Sequence, residues 1–310
     1  MHKWIFFLIT AVLLSLNAVT EARTVIDASD QEVRIENTAR IVSIGGDVTE
    51  IVVALGAEDQ LVARDDTSYY PPAVEALPSV GYMRTLPTEG ILSMNPSVVI
   101  ANENAGPPTT LQQLRDANIA LVLIPAGQTL ETVIEKIQLV AAVLDVDDEG
   151  KALSQLLEKQ HQALQESIQP FDSSPKILSF MNARRGALMA AGGGTGVEAI
   201  LGLIGAKNAL DGFQGYKAIS TEAAVNAQPD AILLPSHGEE QMGGKEGILS
   251  IPEMQTTPAV QNNKIVVMDS LALLMFGPRY LKASSKLASH LYADYEIPEI
   301  LEMKEESAEE

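Results

Sequence analysis

The chain reads Asp147-Asp-Glu-Gly-Lys-Ala-Leu-Ser-Gln-Leu-Leu-Glu-Lys-Gln-His-Gln-Ala-Leu-Gln-Glu-Ser-Ile-Gln169 near its middle, and this stretch decides the predicted fold. Its apolar residues recur at helical spacing, and Asp147 or Asp148 is the expected N-cap. A helix of this length would be about 35 Å long, at 1.5 Å per residue. A second predicted helix, Leu130–Leu144, precedes it. One rigid segment can cross between two lobes, and it permits less hinge motion than paired flexible strands would.

Short β-rich runs alternate with helical patterns on both sides of this segment. They are Arg40-Ile-Val-Ser-Ile44, Ser97-Val-Val-Ile-Ala101 and Ala120-Leu-Val-Leu-Ile124 before it, and Lys176-Ile-Leu-Ser-Phe180, Ala231-Ile-Leu-Leu234 and Lys264-Ile-Val-Val-Met268 after it. Such alternation predicts parallel sheets covered by helices. The patterns also repeat, since Glu50 with Ala54-Leu-Gly-Ala57 resembles Glu198 with Leu203-Ile-Gly-Ala206. We therefore predict an α/β protein with two Rossmann-like lobes, each with a parallel sheet, joined by one long backbone helix.

The expected boundaries follow from these patterns. Residues 23–128 form the predicted N-terminal lobe, 129–170 the helical region and 171–297 the C-terminal lobe. The first 22 residues have the basic start, apolar run and small residues of a cleavable export signal. About 13 apolar residues fall short of the roughly 20 that span a bilayer, so we expect a soluble periplasmic chain. Residues 298–310 are rich in glutamate and predict a solvated acidic tail.

Composition excludes several classes of function. The 310 residues carry a formal net charge of −20, which disfavours an extended contact with nucleic acid or anionic lipid. The sequence has no cysteine, which excludes disulfides, thiolate zinc sites, iron–sulfur clusters, cysteine nucleophiles and lipid anchoring through an N-terminal cysteine. The four histidines are scattered, and no nucleotide-binding or hydrolase motif is complete. An enzyme is therefore the less favoured interpretation.

The loop between Arg64 and Arg84 carries side chains that are unusual for a plain turn. Because Pro71 disfavours a helical conformation at Tyr70, the phenol ring can project from the lobe surface. A phenolate oxygen is a hard donor suited to ferric iron, and tyrosine is one of the protein ligands of haem iron. The two flanking arginines supply positive charge that would favour the phenolate. On residue chemistry alone, a surface turn with tyrosines at its rim is the alternative.

Several motifs together resemble the periplasmic haem-binding proteins of bacterial haem-uptake ABC transporters. They are Asp66-Thr-Ser-Tyr-Tyr-Pro71, Gly81-Tyr-Met-Arg84, Glu89-Gly-Ile-Leu-Ser93, Gly106-Pro-Pro108 and Phe276-Gly-Pro-Arg279. The similarity extends from about Arg23 to Tyr292. The wider superfamily, the helical-backbone (class III) binding proteins, also carries cobalamin and ferric siderophores. The resemblance implies that Tyr70 is the axial ligand of the transported haem b, while Tyr69 falls on a variable position of the motif.

The resemblance also implies further contacts around the haem. The family commonly places an arginine after the strand that here is Ala231 to Leu234, but this loop reads Pro235-Ser-His-Gly238. His237 is therefore the expected second-lobe contact, either as a hydrogen-bond partner of the phenolate or as a second axial ligand. Candidates for the propionates and other pocket contacts are Arg64, Arg84, Arg184, Lys245, Arg279, Tyr69 and Tyr82.

Two Thr-Glu pairs have matching positions in the two halves. Glu89 stands seven residues before Pro96, and Glu222 stands seven residues before Pro229. Because relatives dock on their permease through one acidic residue on each lobe, the resemblance implies this role for both glutamates against a permease dimer. The alternative is ordinary helix capping, with threonine at a helix start.

Together these patterns predict a monomeric periplasmic receptor without enzymatic activity. It would bind haem in the interlobe cleft through Tyr70 and deliver it to an inner-membrane ABC permease with its ATPase subunits, for uptake of haem iron. Two alternatives stay open: a siderophore- or cobalamin-binding protein of the same fold, and a secreted α/β hydrolase.

Overall fold

The structure is a computed structural model that describes residues 22–169, 171–184, 187–239 and 243–300. Nearly all of the predicted export signal and the tail beyond residue 300 therefore lie outside the described residues. Among the described helices, none is both long and apolar enough to cross a bilayer. An antiparallel hairpin of β1 (Arg23–Ile26) and β2 (Glu32–Ile35), which the sequence did not predict, precedes the first sheet.

The first lobe is built on a four-stranded parallel sheet. Its strands are β3 (Ile41–Ile44), β4 (Leu61–Arg64), β5 (Val98–Asn102) and β6 (Ala120–Ile124), in the order β4-β3-β5-β6. Every residue of β3 and β5 is buried, as parallel strands with helices on both faces require. The helices that belong to this lobe are α1 (Gly46–Ala54), α2 (Thr88–Ser93) and α3 (Pro108–Asp116).

Two consecutive helices connect the lobes. They are α4 (Leu130–Leu144) and α5 (Asp147–Ile168), and their bounds confirm the two helices predicted from the sequence to within a residue. The expected N-cap of α5 was wrong: Val146 occupies the cap without a side-chain hydrogen bond. Asp147 and Asp148 lie in the first turn instead, where their charges complement the positive end of the helix dipole.

The second lobe contains a mixed sheet. Its strands are β7 (Lys176–Arg184), β8 (Ala187–Ala191), β9 (Lys207–Asn208), β10 (Tyr216–Ile219), β11 (Ala231–Pro235) and β12 (Ile265–Met268). The order is β10-β8-β7-β11-β12, with β9 also on β7. Strands β9, β11 and β12 continue β7 in parallel, whereas β8 and β10 are antiparallel additions that the sequence did not predict.

The remaining helices surround this second sheet. They are α6 (Gly196–Leu203), α7 (Thr221–Asn226), α8 (Ser236–Glu239), α9 (Gly244–Leu249), α10 (Pro258–Gln261), α11 (Ser270–Leu274) and α12 (Tyr280–Leu291). The structure thus has two α/β lobes with the long helix α5 between them, and the predicted fold class is confirmed.

One hydrophobic core runs through both lobes. A single cluster of buried side chains includes Ile41 and Val98 of the first sheet, Ile137 and Leu157 of α4 and α5, and Leu233 of the second sheet. Alternate residues of the same strands point to two smaller clusters, one in each lobe. The two lobes are therefore held together by packing that passes directly through the helices between them.

Candidate ligand site at the lobe junction

A buried carboxylate fixes the loop that presents the two candidate tyrosines. Asp65 Oδ1 accepts hydrogen bonds from the Gly45 N–H at 2.9 Å and the Ser68 hydroxyl at 2.7 Å. Its Oδ2 accepts from the Thr67 N–H at 2.9 Å and the Thr67 hydroxyl at 2.7 Å. Hydrogen bonds to a charged acceptor are stronger than neutral ones, so this turn is held firmly against the start of α1.

Tyr69 makes a contact between the lobes. Its hydroxyl oxygen accepts the backbone N–H of Leu271, on α11 of the second lobe, at 2.7 Å. Burial raises the pKa of Tyr69 to about 12, and the negative charge of Asp269 acts in the same direction. The structure therefore places Tyr69 as a neutral phenol in the lobe junction.

Tyr70 lies half-buried at the same junction, against a different partner. The guanidinium carbon of Arg279 stands 3.3 Å from the centroid of the Tyr70 ring. This distance is within the range in which the negative face of an aromatic ring attracts a cation. The loop and the start of α12 are thus joined through one stacked contact.

Two carboxylates hold Arg279 in this position. Its Nε donates to Glu50 Oε1 at 2.9 Å and its Nη2 donates to the same oxygen at 2.5 Å, while Asp269 Oδ1 lies 3.2 Å from Nη2. Burial raises the pKa of Glu50 to about 7, although the Arg279 charge opposes this shift. Desolvation is the largest influence and lowers the pKa of Arg279, but the charge and hydrogen bond of Glu50 together with the charges of Asp269 and Tyr70 outweigh it, so the net shift is upward.

A second buried ion pair lies beside the first. Lys136 Nζ on α4 donates to Asp47 Oδ2 on α1 at 2.7 Å, and both side chains are fully buried. The same ammonium group donates to the carbonyl oxygens of Met275 and Phe276 at 3.1 and 3.3 Å. Together the two pairs connect α1 to the segment that leads into α12.

Tyr70 and Arg279 also line a cavity of about 150 Å³. Its other walls come from α1, α5, α12 and the last described residue, and they are mostly aliphatic: Glu50, Val53, Ala54, Pro71, Leu153, Leu156, Leu157, Gln160, Pro278, Lys282 and Ile300. Sites that enclose drug-sized ligands measure about 300–1,000 Å³. The cavity is therefore too small to enclose a tetrapyrrole.

The arginine at the start of the loop supports the loop itself. The Arg64 guanidinium donates to the carbonyl oxygens of Asp65 at 3.1 Å and Val74 at 3.3 Å, with Glu75 at 3.5 Å. These bonds tie the end of β4 to the segment that follows Tyr70. The structure thus places Arg64 in a loop-holding position.

Exposed aromatic and basic side chains face each other at the rims of the two lobes. Tyr82 and Arg84 are exposed on the first lobe, and Tyr216 is exposed on β10 of the second. The protein around the base of the ring partly desolvates the Tyr216 phenol and raises its pKa, and the positive charge of Arg84 partly opposes that shift. The charge of one lobe therefore acts on a phenol of the other.

Two of the expected second-lobe contacts, His237 and Lys245, have exposed side chains. His237 lies in α8, and its backbone N–H donates to the Ser270 hydroxyl at 2.9 Å. Lys245 lies in α9. The Arg184 side chain, at the end of β7, lies outside the described part of the chain. Arg279 supplies the cation at Tyr70.

Glu89 and Glu222 occupy matching places on two matching helices. Both are exposed and are the second residue of a six-residue helix, α2 and α7 respectively. The N-caps are Pro87 and Ser220, so the threonine before each glutamate does not cap its helix. The capping alternative therefore fails for the threonines, although acidic residues in a first turn still favour the helix.

The comparisons with known proteins define the class of protein. A family model described as "Periplasmic binding protein" matches residues 41–272, and the chain belongs to this family. The fold is that of the class III periplasmic binding proteins. The members compared below bind substrates for transport.

Two solved structures show the likeness in detail. The periplasmic haem-binding protein RhuT of Roseiflexus sp. RS-1 is 36% identical, with a TM-score of 0.79, over 83% of this chain and 99% of RhuT. The periplasmic haem-binding protein HutB of Vibrio cholerae is 35% identical, with a TM-score of 0.74, over 83% of this chain and all of HutB. The predicted family is confirmed.

Two curated relatives are more distant. An uncharacterized ABC transporter substrate-binding lipoprotein, YvrC of Bacillus subtilis, is 25% identical over 87% of this chain and 86% of its own length. The vitamin B12-binding protein of Vibrio parahaemolyticus is 22% identical over 82% of this chain and 90% of its own length.

Sequence reasoning missed Glu50, Asp65 and Asp269 as parts of the site. Glu50 was visible only as a member of the repeat, and its partner Arg279 is 229 positions away. The sequence around Asp65 has a usable signal, because an aspartate with Thr and Ser two and three residues later favours a side-chain-to-backbone turn.

Proposed function

We propose that the protein binds ferric haem in the cleft between its lobes, with the Tyr70 phenolate as axial ligand. The observation that carries this proposal is the position of Tyr70, which follows the fixed Asp65 turn and lies at the lobe junction beneath Arg279. The likeness to solved haem-binding proteins at 35–36% identity supports haem as the ligand.

The donor chemistry agrees with this ligand. In the described ranges, no group of three or more His, Asp or Glu residues is arranged to hold a bare metal ion. Iron that is already held in a porphyrin needs only one or two axial ligands, and tyrosinate is a known one. A single well-placed phenol is therefore sufficient.

The small cavity at Tyr70 bears on where the macrocycle would lie. Because about 150 Å³ cannot enclose it, we propose that the haem occupies the open space between the lobe rims. Tyr82, Arg84 and Tyr216 would contact it there. The net charge of −20 repels an anionic ligand, so local cations such as Arg84 and Lys245 would meet the propionates. His237 and Arg184 are the other proposed second-lobe contacts.

A hemin titration of the mature protein tests the haem site. We expect the visible spectrum of ferric tyrosinate haem in the wild type and in Tyr69→Phe, since the Tyr69 oxygen is engaged with Leu271. Tyr70→Phe should lose this spectrum and weaken hemin binding by about 100-fold, roughly the effect of removing a metal-site partner. An unchanged spectrum in Tyr70→Phe would refute the tyrosinate assignment.

A corrinoid is the second candidate ligand, and the vitamin B12-binding proteins among the curated relatives favour it. Titration with cyanocobalamin, followed by quenching of tyrosine fluorescence, separates the two. Saturable quenching by cyanocobalamin together with a featureless hemin titration would establish the corrinoid.

We propose that Glu89 and Glu222 dock the loaded protein on its permease. Equivalent carboxylates on equivalent helices match a permease dimer, whose two subunits present the same surface twice. Charge reversal of both residues to arginine should abolish haem uptake in cells and leave hemin binding unchanged. The matched control reverses two other exposed glutamates, Glu75 and Glu158, and should retain uptake. Normal uptake by the Glu89/Glu222 variant would remove the docking role.

Export by residues 1–22 completes the proposal, with a monomeric mature chain acting beside the permease and its ATPase subunits. Mass spectrometry of the protein from a periplasmic extract should give an N-terminus close to Arg23. Recovery of the full-length chain from that extract would contradict cleavage.

A further inference from the structure

The small cavity at the lobe junction is not used by the proposed function, which places the haem in the open space between the lobe rims. Its volume is about 150 Å³, and most of its walls are aliphatic side chains of α1 and α5. An apolar cavity of about this size can stay dry and bind benzene. The cavity therefore has room for one molecule about as large as a benzene ring.

One wall of this cavity carries a buried carboxylate with an oxygen that lacks a partner. The Glu50 side chain is 3% exposed and lines the cavity. Both hydrogen bonds from Arg279 go to Glu50 Oε1, and within the described ranges no group donates to Oε2. Buried polar atoms in folded proteins nearly always have a partner. The unpaired oxygen thus indicates a donor that comes from outside the described chain.

The position of Oε2 relates it to one end of the cavity. A Cβ atom at Gly277 would lie 2.7 Å from Oε2, and the next residue, Pro278, is part of the cavity wall. Other parts of the wall come from Val53 on α1 and from Leu153 and Leu157 on α5, all three buried. A molecule in the cavity would thus have a polar end at Glu50 and an apolar body against the two helices.

The charges around the cavity select the kind of donor. An anion would lie beside the Glu50 carboxylate, which repels it. A cation would lose its hydration among aliphatic walls, close to the positive charges of Arg279 and Lys282, which also line the cavity. A neutral hydroxyl has neither cost, and a hydrogen bond to an ionised acceptor is stronger than one between neutral groups.

We propose that this cavity is a second binding site, for a small neutral phenol or alcohol whose hydroxyl donates to Glu50 Oε2. The apolar body of the ligand packs against α1 and α5, and no covalent bond forms or breaks. The site uses neither iron nor haem, so it stands or fails independently of the proposed haem function.

Isothermal titration calorimetry of the mature chain with phenol tests the site. At pH 8, above the Glu50 pKa of about 7, we expect saturable binding with a Kd of about 1 mM. Toluene has the same shape and no donor, and it should bind about tenfold more weakly. Equal affinities for phenol and toluene would refute the hydrogen bond to Glu50. The absence of saturable phenol binding would refute the site and leave the cavity to water only.

A cavity-filling substitution tests the location. Ala54 is half-buried and lines the cavity, so the larger side chain of Ala54→Leu should abolish phenol binding. The matched control Ala199→Leu enlarges a half-buried alanine on α6 and should bind phenol as wild type does. Circular dichroism and the melting temperature show whether each variant folds, and the ligand series in wild type decides the matter if Ala54→Leu does not. Phenol binding by folded Ala54→Leu at wild-type affinity would refute the location.

Glu50→Gln should change which ligand the site prefers. Because Arg279 donates to the Oε1 position, the amide oxygen is expected there and the amide NH2 takes the place of Oε2. Benzonitrile accepts hydrogen bonds and donates none, so it should bind about tenfold more tightly to the variant than to wild type. The preference for phenol over toluene should shrink. An unchanged order of the three ligands would refute the role of Oε2.

Discussion

Each lobe has a glutamate-bearing helix after the first strand of its parallel sheet, α1 directly after β3 and α6 after β7 and β8, but the described residues place buried ion pairs only at α1. On α1, Asp47 pairs with Lys136 and Glu50 pairs with Arg279, inside the junction. On α6, Glu198 is exposed, and its carboxylate accepts a local backbone N–H, from Gly194. The repeated sequence pattern thus specifies the strands and helices of both lobes. The ion pairs of α1 depend instead on Lys136 and Arg279, which lie far from α1 in the sequence.

The largest expected difference between the two helices is in their contribution to stability. Lys136→Met leaves Asp47 buried without a counter-ion and should lower the free energy of unfolding by about 4 kcal/mol. Thr195→Ala removes the N-cap of α6, whose hydroxyl accepts the Glu198 N–H, and should cost about 1 kcal/mol. Urea unfolding followed by circular dichroism measures both. If the two variants lost equal free energy of unfolding, the buried Lys136–Asp47 pair would contribute no more to stability than the N-cap of α6.

The pH dependence of stability should also differ between the two helices, through Glu50 on α1 and Glu198 on α6. Burial holds the pKa of Glu50 near 7, against 4.5 for an unperturbed glutamate, so the folded state retains this proton at higher pH than the unfolded chain does. The stability from this group is full below about pH 4.5 and is lost as the pH rises to 7, by up to about 3 kcal/mol.

Glu50→Gln should therefore flatten the stability profile between pH 4.5 and 7, and Glu198→Gln should leave it as in wild type. Chemical unfolding at several pH values gives the profiles. A profile for Glu50→Gln that is as steep as wild type would assign the slope to other groups.

The smallest expected effect concerns the direct hydrogen bond between the lobes. Tyr69→Phe leaves the Leu271 N–H without its acceptor and should cost about 1 kcal/mol. Tyr82→Phe removes the hydroxyl of an exposed tyrosine, and its stability should stay within about 0.5 kcal/mol of wild type. Differential scanning calorimetry can compare the two. No loss in Tyr69→Phe would indicate that water replaces this contact.

Much of the scaffold was predictable because it depends on local patterns. Apolar periodicity located α4 and α5, and buried β-rich runs located β3, β5, β6, β7, β11 and β12. The matching Thr-Glu positions also appear as matching helices, α2 and α7. In each case the signal lies within a few residues of the structure it specifies.

The chemistry of the junction was less predictable because its partners are distant in sequence. Nothing near Glu50 indicates that it meets Arg279, and nothing near Tyr69 indicates Leu271, 202 positions later. Sequence patterns missed the antiparallel strands β8 and β10 for other reasons: β10 is short and largely exposed, and β8 reads Ala-Leu-Met-Ala-Ala, in which alanine does not favour a strand. Tyr70 was singled out by motif resemblance, while its contact with Arg279 needed the folded chain.

The shared interior of the lobes has a consequence for unfolding. Because one set of packed side chains passes from the first sheet through α4 and α5 into the second, neither half can lose its packing and leave the other intact. Melting should therefore occur as one cooperative event, and slow amide hydrogens in β3 and β11 should exchange together. A destabilising substitution in α4 should therefore lower the stability of the second lobe as much as that of the first.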